Sequence, residues 1–323
     1  MMSKFNVLSL FDGMSCGQLA LRRAGIKYDN YFASEVDKDA ITITQKRFPD
    51  TIQLGDVTQV KSVDLPKIRL LLGGSPCVGF STSGKGLNFE DPQSKLFFEF
   101  VRLLDECKPR YFLLENVKMK KEWENKISEY LKKRPIRINS ALVSAQNRER
   151  LYWTNIPNVK VPKDKGIYLQ DVLEDVAESS YNALPIEGEI ARRLHIPDNK
   201  KQILLNINDS NTGMSGRVLS NLSKKSHALT ASGSNWIKYG YIIFDGDNKP
   251  TTLMWRKLTV TEWEHLQTAP VGYTNGLSVG NRCKLIGNGW TVSVISHILR
   301  KIKNSPIPKR RHDLGLFPFS ENI

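Results

Sequence analysis

The sequence predicts an α/β protein built on a doubly wound, mostly parallel β-sheet. Apolar runs of strand length alternate with helical patterns through residues 1–155, and strands separated by helices of this length pair in parallel. The stretches FDG, GDV, SPC and ENV, together with Glu35, each follow one of these apolar runs. Because ligands bind at the carboxyl ends of the strands in such sheets, we expect the functional site at that edge.

The elements of this first region are assigned from the apolar spacing. Strands are predicted at Val7–Leu10, Tyr31–Ser34, Ile52–Leu54, Leu70–Leu72 and Tyr111–Leu114. Helices are predicted at Cys16–Ala24, from the cap Asp37 through Lys46, from the cap Ser94 to Cys107, and at Met119–Lys133.

From residue 156 the pattern changes. KVPKDKG has the composition of a linker, and residues 180–255 contain short strand signals rich in Ser, Asn and Gly, without an internal repeat. Helical spacing returns in LTVTEWEHLQ and WTVSVISHILRKIK, and the tail after Asn304 is expected to be irregular. A chain of 323 residues is expected to hold about two domains.

Composition excludes several classes of protein. The sequence has no run of about 18 apolar residues, so we expect no membrane span, and its first residues do not resemble a signal peptide. The four cysteines have no paired short spacing, which favours neither a zinc cluster nor a disulfide framework. We therefore expect a reduced, cytosolic protein.

The net charge of +14 is concentrated in two separated segments. Residues 117–155 carry ten Lys and Arg against four Asp and Glu, and residues 257–323 carry nine against four. Such segments are typical of a polyanion partner, because lysines and arginines displace counterions from phosphates. A solvated basic surface is the alternative explanation.

The glycine-containing turn FDGMSCG and two acids point to a cofactor. Gly13 and Gly17 stand between a strand and a helix, where glycines permit close backbone approach and the helix start exposes N–H groups. Glu35 ends the second strand, where an acid suits ribose hydroxyls. Asp56 ends the third strand, where a carboxylate can accept an adenine amino hydrogen. Each acid alone could be a helix cap, but both beside the glycine turn indicate an adenosine-containing cofactor.

A second group of residues could carry chemistry. Cys77 follows the fourth strand in a polar loop, and the thiolate of an exposed cysteine is a nucleophile. Glu115 ends the adjacent strand, where a carboxyl can act as a general acid. Arg148 and Arg150 are two residues apart, which puts both on one face of an extended segment, and their geometry suits a carbonyl or phosphate. Each alone has a purely structural explanation; together they form one candidate catalytic group.

Six stretches in order, over nearly the whole chain, match the pattern of one family. They are FDGMSCG, GSPCVGFSTSGKG, LLENV, QNRER, RKLTVTEWEHLQTAPVGY and GNGWTVSVI. The sequence thus resembles the DNA (cytosine-5)-methyltransferases of bacteria and phages, with features of the animal de novo enzymes. The resemblance implies a Rossmann-like methyltransferase fold with a smaller inserted recognition domain. It assigns residues 1–155 and 257–303 to the catalytic domain, 156–256 to target recognition and 304–323 to a basic tail.

The resemblance also implies a mechanism. Cys77 would attack C6 of a cytosine flipped out of a specific double-stranded DNA sequence. Glu115 would bind N3 and the amino group, and the arginine of QNRER would bind O2. C5 would then receive the methyl group of S-adenosylmethionine, leaving S-adenosylhomocysteine, with no metal. Ser81, Ser83 and Lys85 would belong to a loop that closes over the flipped base.

The resemblance assigns a set of cofactor-binding residues. These are Phe11, Asp12, Gly13, Gly17, Glu35, Val36, Asp56, Val57, Pro76, Asn288 and Trp290. Val78 departs from the glutamine that many bacterial relatives carry after the cysteine, so contacts around the flipped base are expected to differ. Gly289 and Trp290 replace the more usual alanine and valine, which affects how the cofactor is enclosed.

Double-stranded DNA is the partner that the resemblance implies, with a restriction endonuclease as a further functional partner. The protein is expected to be a monomer, away from membranes, in the cytoplasm of a bacterial or phage-infected cell and associated with the nucleoid. Three alternatives remain open at this point: a tRNA cytosine-5 methyltransferase of the same fold, a catalytically inactive DNA-binding module, and an adenosine-binding oxidoreductase.

Overall fold

The computed structural model describes residues 4–75, 92–185, 202–208, 215–220, 225–230, 237–244 and 250–302. These residues fall into two compact units. The first unit draws its residues from Met1–Ile138, Glu149–Val161 and Ile295–Ile323, and the second from Asn139–Arg148 and Pro162–Val294. The second unit therefore contains residues 257–294 together with residues 162–256, whereas the sequence prediction grouped residues 257–303 with the first part of the chain.

The first unit is built on a seven-stranded sheet. Its strands are β1 Asn6–Leu10, β2 Asn30–Ser34, β3 Ile52–Gln53, β4 Ile68–Gly74, β5 Tyr111–Val117, β6 Ile136–Asn139 and β8 Glu149–Thr154. They are ordered β3-β2-β1-β4-β5-β8-β6, and the first five are parallel, whereas β8 runs antiparallel to β5. The predicted doubly wound, mostly parallel sheet is confirmed.

The helices of the first unit begin and end within about three residues of their predicted bounds, but the serine cap predicted at Ser94 was wrong, because that helix already begins at Pro92. They are α1 Cys16–Ala24, α2 Lys38–Arg47, α3 Pro92–Cys107 and α4 Lys121–Leu131. The Asp37 side chain caps α2 by accepting hydrogen bonds from the N–H groups of Asp39 and Ala40, at 3.0 and 3.4 Å. Gly25 ends α1 in the left-handed conformation, with φ 64°, which glycine adopts at little cost.

The core of the first unit fixes the end of β4. Leu71, Phe97 and Phe100 are fully buried in the main apolar cluster. A Cβ atom on Gly73 would lie 2.6 Å from the Phe100 ring, so only glycine permits α3 to approach the strand this closely. The chain leaves β4 toward Ser75 from this tightly packed position.

The second unit contains a five-stranded antiparallel sheet and a two-stranded parallel ladder. The larger sheet has the order β11-β10-β13-β14-β9, and β12 pairs with β7. The strands are β7 Gln146–Asn147, β9 Asn182–Pro185, β10 Gln202–Asn208, β11 Ser215–Ser220, β12 Ser226–His227, β13 Ile237–Phe244 and β14 Pro250–Lys257. The scattered strand signals of residues 180–255 thus correspond mainly to one antiparallel sheet.

Three helices follow this sheet within residues 250–302. They are α5 Val260–Leu266, α6 Val279–Asn288 and α7 Val292–Leu299, the last of which begins in the second unit and ends in the first. The helical signals predicted α5 and α7 but not α6. Two glycines and two asparagines in α6 lower its helix propensity, so its formation depends on burial of its apolar side. No helix in the described part of the chain is long and apolar enough to cross a membrane.

Candidate active site

The carboxyl ends of β1, β2, β4 and β5 meet at one edge of the sheet. In the parallel register Leu10 pairs with Ser34 of β2 and with Gly73 of β4, and Gly74 pairs with Glu115 of β5. The polar residues that follow β1, β2 and β4 therefore lie at the same edge as Glu115. The prediction that these residues lie at one edge follows from the strands being parallel. It is confirmed for the residues that the structure describes.

The carboxylate of Glu35 joins the end of β2 to the glycine turn after β1. Its Oε2 atom accepts a hydrogen bond from the Gly13 N–H at 2.7 Å. Its Oε1 atom accepts from the N–H groups of Val36 and Asp37, at 2.7 and 2.8 Å. Gly13 has φ +58°, and a Cβ atom there would meet nothing within 4 Å. The carboxylate is therefore held in one place beside open space.

Asp12 lies in the same turn and is 8% exposed. Its Oδ1 atom accepts a hydrogen bond from the Tyr31 hydroxyl at 2.7 Å, while its buried Oδ2 atom has no hydrogen-bond partner among the described residues. Burial, which penalises the charged form, raises the pKa of the Asp12 carboxyl to about 6. A Cβ atom on Gly17 would lie 2.6 Å from the Tyr31 hydroxyl, so glycine at this position lets Tyr31 reach Asp12.

The third predicted acid, Asp56, lies three residues after the last residue of β3 and is exposed. Its carboxylate accepts a hydrogen bond from the Thr58 N–H at 2.9 Å and so caps a short helical turn. Val57 is 4% exposed and belongs to the core, whereas Val36 is 69% exposed. Of these two valines, only Val36 presents a side chain that a bound molecule could contact.

The residues at this edge fit an adenosine-containing cofactor. Val36 offers an exposed apolar surface, the Glu35 carboxylate lies beside it, and Gly13 leaves room for close approach to the backbone. Phe11, the remaining residue predicted in this turn, is partly buried against the core and has φ 56°. The structure brings these residues together in the first unit.

Glu115 forms an ion pair with Arg150. The Arg150 Nε atom lies 3.2 Å from Glu115 Oε1, and the two side chains are 16% and 11% exposed. The antiparallel register pairs Val117 with Arg150 and Glu115 with Tyr152, so Glu115 and Arg150 are diagonal neighbours on one face of the sheet. A carboxylate and a guanidinium are thus presented together at the end of β5.

The end of β4 is tied to β5 beside this pair. The Asn116 Nδ2 group donates a hydrogen bond to Ser75 Oγ at 3.1 Å, and both residues are buried. Ser75 is two residues before Cys77 in the sequence. The other residues of this loop that were singled out also lie outside the described residues, as Cys77 does: Pro76, Ser81, Ser83 and Lys85.

Arg148 does not share the surroundings of Arg150. The sequence analysis placed both arginines on one face of one extended segment, but Arg148 lies outside β8 and is 6% exposed within the second unit. Its Nη1 donates to the Leu229 carbonyl at 2.7 Å, and its Nη2 donates to the carbonyls of Gly287 and Gly289 at 3.2 and 3.3 Å. That prediction was wrong, because tertiary partners rather than strand alternation set the direction of the side chain.

A buried polar network in the second unit was missed by the sequence analysis. Gln146 Nε2 donates to the Leu266 carbonyl at 3.1 Å and to Gln267 Oε1 at 3.2 Å. Gln267 Nε2 donates to the carbonyls of Ile286 and Gly289, at 2.9 and 3.0 Å. The only signal for this network was the position of Gln146 at the start of QNRER.

Two predicted cofactor residues lie next to this network. Asn288 ends α6 and is exposed, and Trp290 is half-buried. Both belong to the second unit, and their role toward a cofactor stays a prediction. Among the residues that the structure describes, no group of three or more His, Cys, Asp and Glu side chains could hold a metal ion.

Comparisons with known proteins identify the family. The model of the C-5 cytosine-specific DNA methylases matches residues 5–304. The type II methyltransferase M.HaeII of Haemophilus aegyptius is 30% identical over 322 aligned positions, which cover 94% of this chain and 94% of that protein. The orphan methyltransferase M.Rho11sI of Bacillus phage rho11s is 35% identical over 179 positions, which cover 51% of this chain and 36% of the phage protein.

Solved structures agree on the fold. A DNA modification methyltransferase encoded within an E. coli prophage superposes with a TM-score of 0.64 at 19% identity, over 93% of this chain and 99% of that one. At that identity the structural similarity supports the fold alone. The assignment to a family rests on the match of the family model over residues 5–304. The chain therefore belongs to the C-5 cytosine-specific DNA methylase family.

Proposed function

We propose that this chain transfers a methyl group from S-adenosylmethionine to C5 of a cytosine flipped out of a specific double-stranded DNA sequence. The observation that carries the proposal is the buried Arg150–Glu115 pair at the end of β5, next to the strand that leads into Cys77. Family membership supplies the class of reaction, and the pair supplies groups that can bind a pyrimidine ring edge.

In this proposal Cys77 is the nucleophile. Its thiolate forms a bond to C6 of the cytosine, and the π electron pair of the C5–C6 double bond moves to C5, which becomes nucleophilic while the single bond stays. After methylation, loss of the C5 proton and breakage of the bond between sulfur and C6 restore the aromatic ring and the free thiolate. A stacked base is not accessible to this chemistry, so the nucleotide has to leave the duplex.

Glu115 and Arg150 bind and polarise the flipped base. The Glu115 carboxyl group binds N3 and the exocyclic amino group, which draws electron density from the ring and favours attack at C6. Arg150 binds O2 through its guanidinium and orients Glu115 through their ion pair. Arg148 stays on the carbonyls of Leu229, Gly287 and Gly289 and does not touch the base.

The glycine turn and the neighbouring strand ends hold the cofactor. Glu35 binds the ribose hydroxyls, Val36 contacts the adenine ring, and Asp56 accepts a hydrogen from the adenine amino group. The backbone at Phe11 and Gly13 lies against the methionine part. When bound, S-adenosylmethionine supplies an electrophilic methyl group for C5.

Residues 156–256 form the recognition segment in this proposal, and Ser81, Ser83 and Lys85 act in the loop over the flipped base. The restriction endonuclease partner and the monomeric state stay predictions. The positive segment 117–155 suits contact with DNA phosphates.

The experiment is to express the chain in cells that lack cytosine-5 methylation and to sequence methylated cytosines in their DNA. One recurring sequence context for 5-methylcytosine is expected, and no methylation in cells that express Cys77→Ser. Purified protein is assayed in parallel on duplex DNA and on tRNA with labelled S-adenosylmethionine. Label in tRNA alone would favour the RNA enzyme, and DNA binding without label would favour the inactive module.

A further inference from the structure

Residues 225–229, which we refer to as the 225–229 strap, are fastened at both ends to residues 144–148. At the first end, Lys225 Nζ donates to the carbonyls of Ser144, at 3.3 Å, and Ile167. The same ammonium group lies 3.7 Å from Asp164 Oδ1 and 4.8 Å from the centre of the Tyr168 ring. With the side chain only 16% exposed, these partners replace most of the water around its charge.

The middle and the far end of the strap are also bound. The Ser226 N–H donates to the Ala145 carbonyl at 2.7 Å, and Ser226 pairs with Gln146 in the parallel ladder. At the far end, the Leu229 N–H donates to Gln146 Oε1 at 2.8 Å, and Arg148 donates to the Leu229 carbonyl at 2.7 Å. Both polar groups of the Leu229 backbone are thus satisfied by side chains of QNRER.

These side chains are themselves held from the other direction. Arg148 also binds the carbonyls of Gly287 and Gly289, and Gln146 also binds the Leu266 carbonyl. A buried guanidinium or amide leaves such carbonyls only at a high cost in desolvation. The strap therefore rests on side chains whose own positions are fixed within the second unit.

The placement of these anchors along the chain is the key observation. Gln146 and Arg148 hold the strap, and Arg150, two residues later, pairs with Glu115. We propose that the 225–229 strap fastens the recognition segment to the stretch that carries the catalytic arginine, so that Lys225 and Arg148 are specificity-positioning residues. This inference rests on the proposed function, because sequence specificity presupposes that DNA is the substrate.

The test uses the full chain and the target site that sequencing of methylated DNA identifies. Lys225→Met and Arg148→Met keep long side chains but remove the donors. The kcat/KM for the cognate duplex is compared with that for duplexes with one changed base pair. Both variants are expected to lose about tenfold of this discrimination, roughly the contribution of one correct base pair. The KM for S-adenosylmethionine should stay unchanged in Lys225→Met, because the partners of Lys225, which are Ser144, Ile167 and Asp164, are not among the predicted cofactor residues.

Two further variants serve as a conservative replacement and as a control. Lys225→Arg retains a charged donor and should restore most of the discrimination, while Lys165→Met removes an exposed lysine of the same unit and should change nothing. A kcat/KM that falls by the same factor on cognate and altered duplexes would show a merely structural role and overturn the inference. An unchanged ratio of the two kcat/KM values would overturn it as well. If Arg148→Met does not fold, Lys225→Met decides alone. A wild-type protein that methylates no DNA would instead contradict the proposed function.

Discussion

Arg150 on β8 forms an ion pair with Glu115 on the neighbouring antiparallel strand β5. The distance between Nε and Oε1 is 3.2 Å, and both side chains are largely buried. The two residues are 35 positions apart in the sequence and meet only because β8 runs antiparallel to β5. Since groups placed in this way can act on charge that develops in a bound base, the pair is the most direct target for mutation.

Arg150→Met should lower kcat for methyl transfer by about 10²- to 10³-fold, the usual effect of removing one preorganised donor from an active site. The change also leaves the Glu115 carboxylate without its ionic partner. Arg137→Met is the matched control, because Arg137 is 47% exposed and pairs at 3.4 and 3.5 Å with Glu124 and Glu149, neither of which is proposed to touch the base. Equal rates for the two variants would argue against a catalytic role for Arg150.

Cys77 should be the most reactive thiol of the protein. Burial raises the pKa values of Cys107 and Cys283 to about 11, so both are protonated at pH 8 and resist alkylation. Iodoacetamide at that pH should modify Cys77 first, with loss of methyl transfer in step, as mass spectrometry of the digested protein can follow. Cys107→Ser should keep its activity. Inactivation that tracks alkylation of another cysteine would contradict the assignment.

Asp12 should make stability depend on pH. Burial raises its pKa in the folded protein from the ordinary value of 3.8 to about 6, so the folded protein holds the proton more tightly than the unfolded chain. The free energy of unfolding should therefore fall as pH rises through this interval, by about 2 kcal/mol between pH 4 and 6 for this group. Asp12→Asn removes the titration and should gain stability relative to wild type over that interval. Urea unfolding of both proteins between pH 4 and 8 measures the difference, and a pH-independent difference would refute the expectation.

Gly17→Ala should weaken both stability and cofactor binding. The added Cβ would lie 2.6 Å from the Tyr31 hydroxyl and 3.0 Å from Leu72 Cδ1, and overpacking of this kind costs about 1–3 kcal/mol. It would also push Tyr31 away from Asp12. Gly280→Ala is the control, because nothing lies within 4 Å of its Cβ position in α6 and alanine favours a helix. Thermal unfolding should show a lower Tm for Gly17→Ala and no lower Tm for Gly280→Ala.

Glu35→Ala should raise the dissociation constant of S-adenosylmethionine by about 10- to 150-fold, because a lost charge-assisted hydrogen bond costs roughly 1.5–3 kcal/mol. Glu35→Gln keeps the shape of the side chain and separates loss of charge from disturbance of the turn. Asp64→Asn, at an exposed carboxylate of the same unit, serves as control. Calorimetry that finds wild-type affinity in both Glu35 variants would remove this residue from the cofactor site.

The sequence by itself determined the order of β1 to β5 and of α1 to α4 and placed their ends to within about three residues, whereas β6 and β8 were not predicted. Asp37 and Gly25 mark helix ends through contacts with neighbours a few residues away, and the apolar runs mark strands. Because parallel strands end at one edge, the strand order was enough to bring Glu35, Asp12 and Glu115 together. The family prediction, drawn from six ordered stretches, is confirmed by the family model over residues 5–304.

Only the tertiary structure decided which partners the two arginines of QNRER take. Arg148 binds carbonyls at Leu229 and Gly287, which are 81 and 139 residues away, whereas Arg150 binds Glu115. Neither alternation nor spacing along the chain contains such contacts, because they depend on the antiparallel placement of β8 and on backbone carbonyls of distant segments. The helix α6 escaped prediction for the same physical reason: burial of Cys283 and Ile286, rather than local propensity, stabilises it.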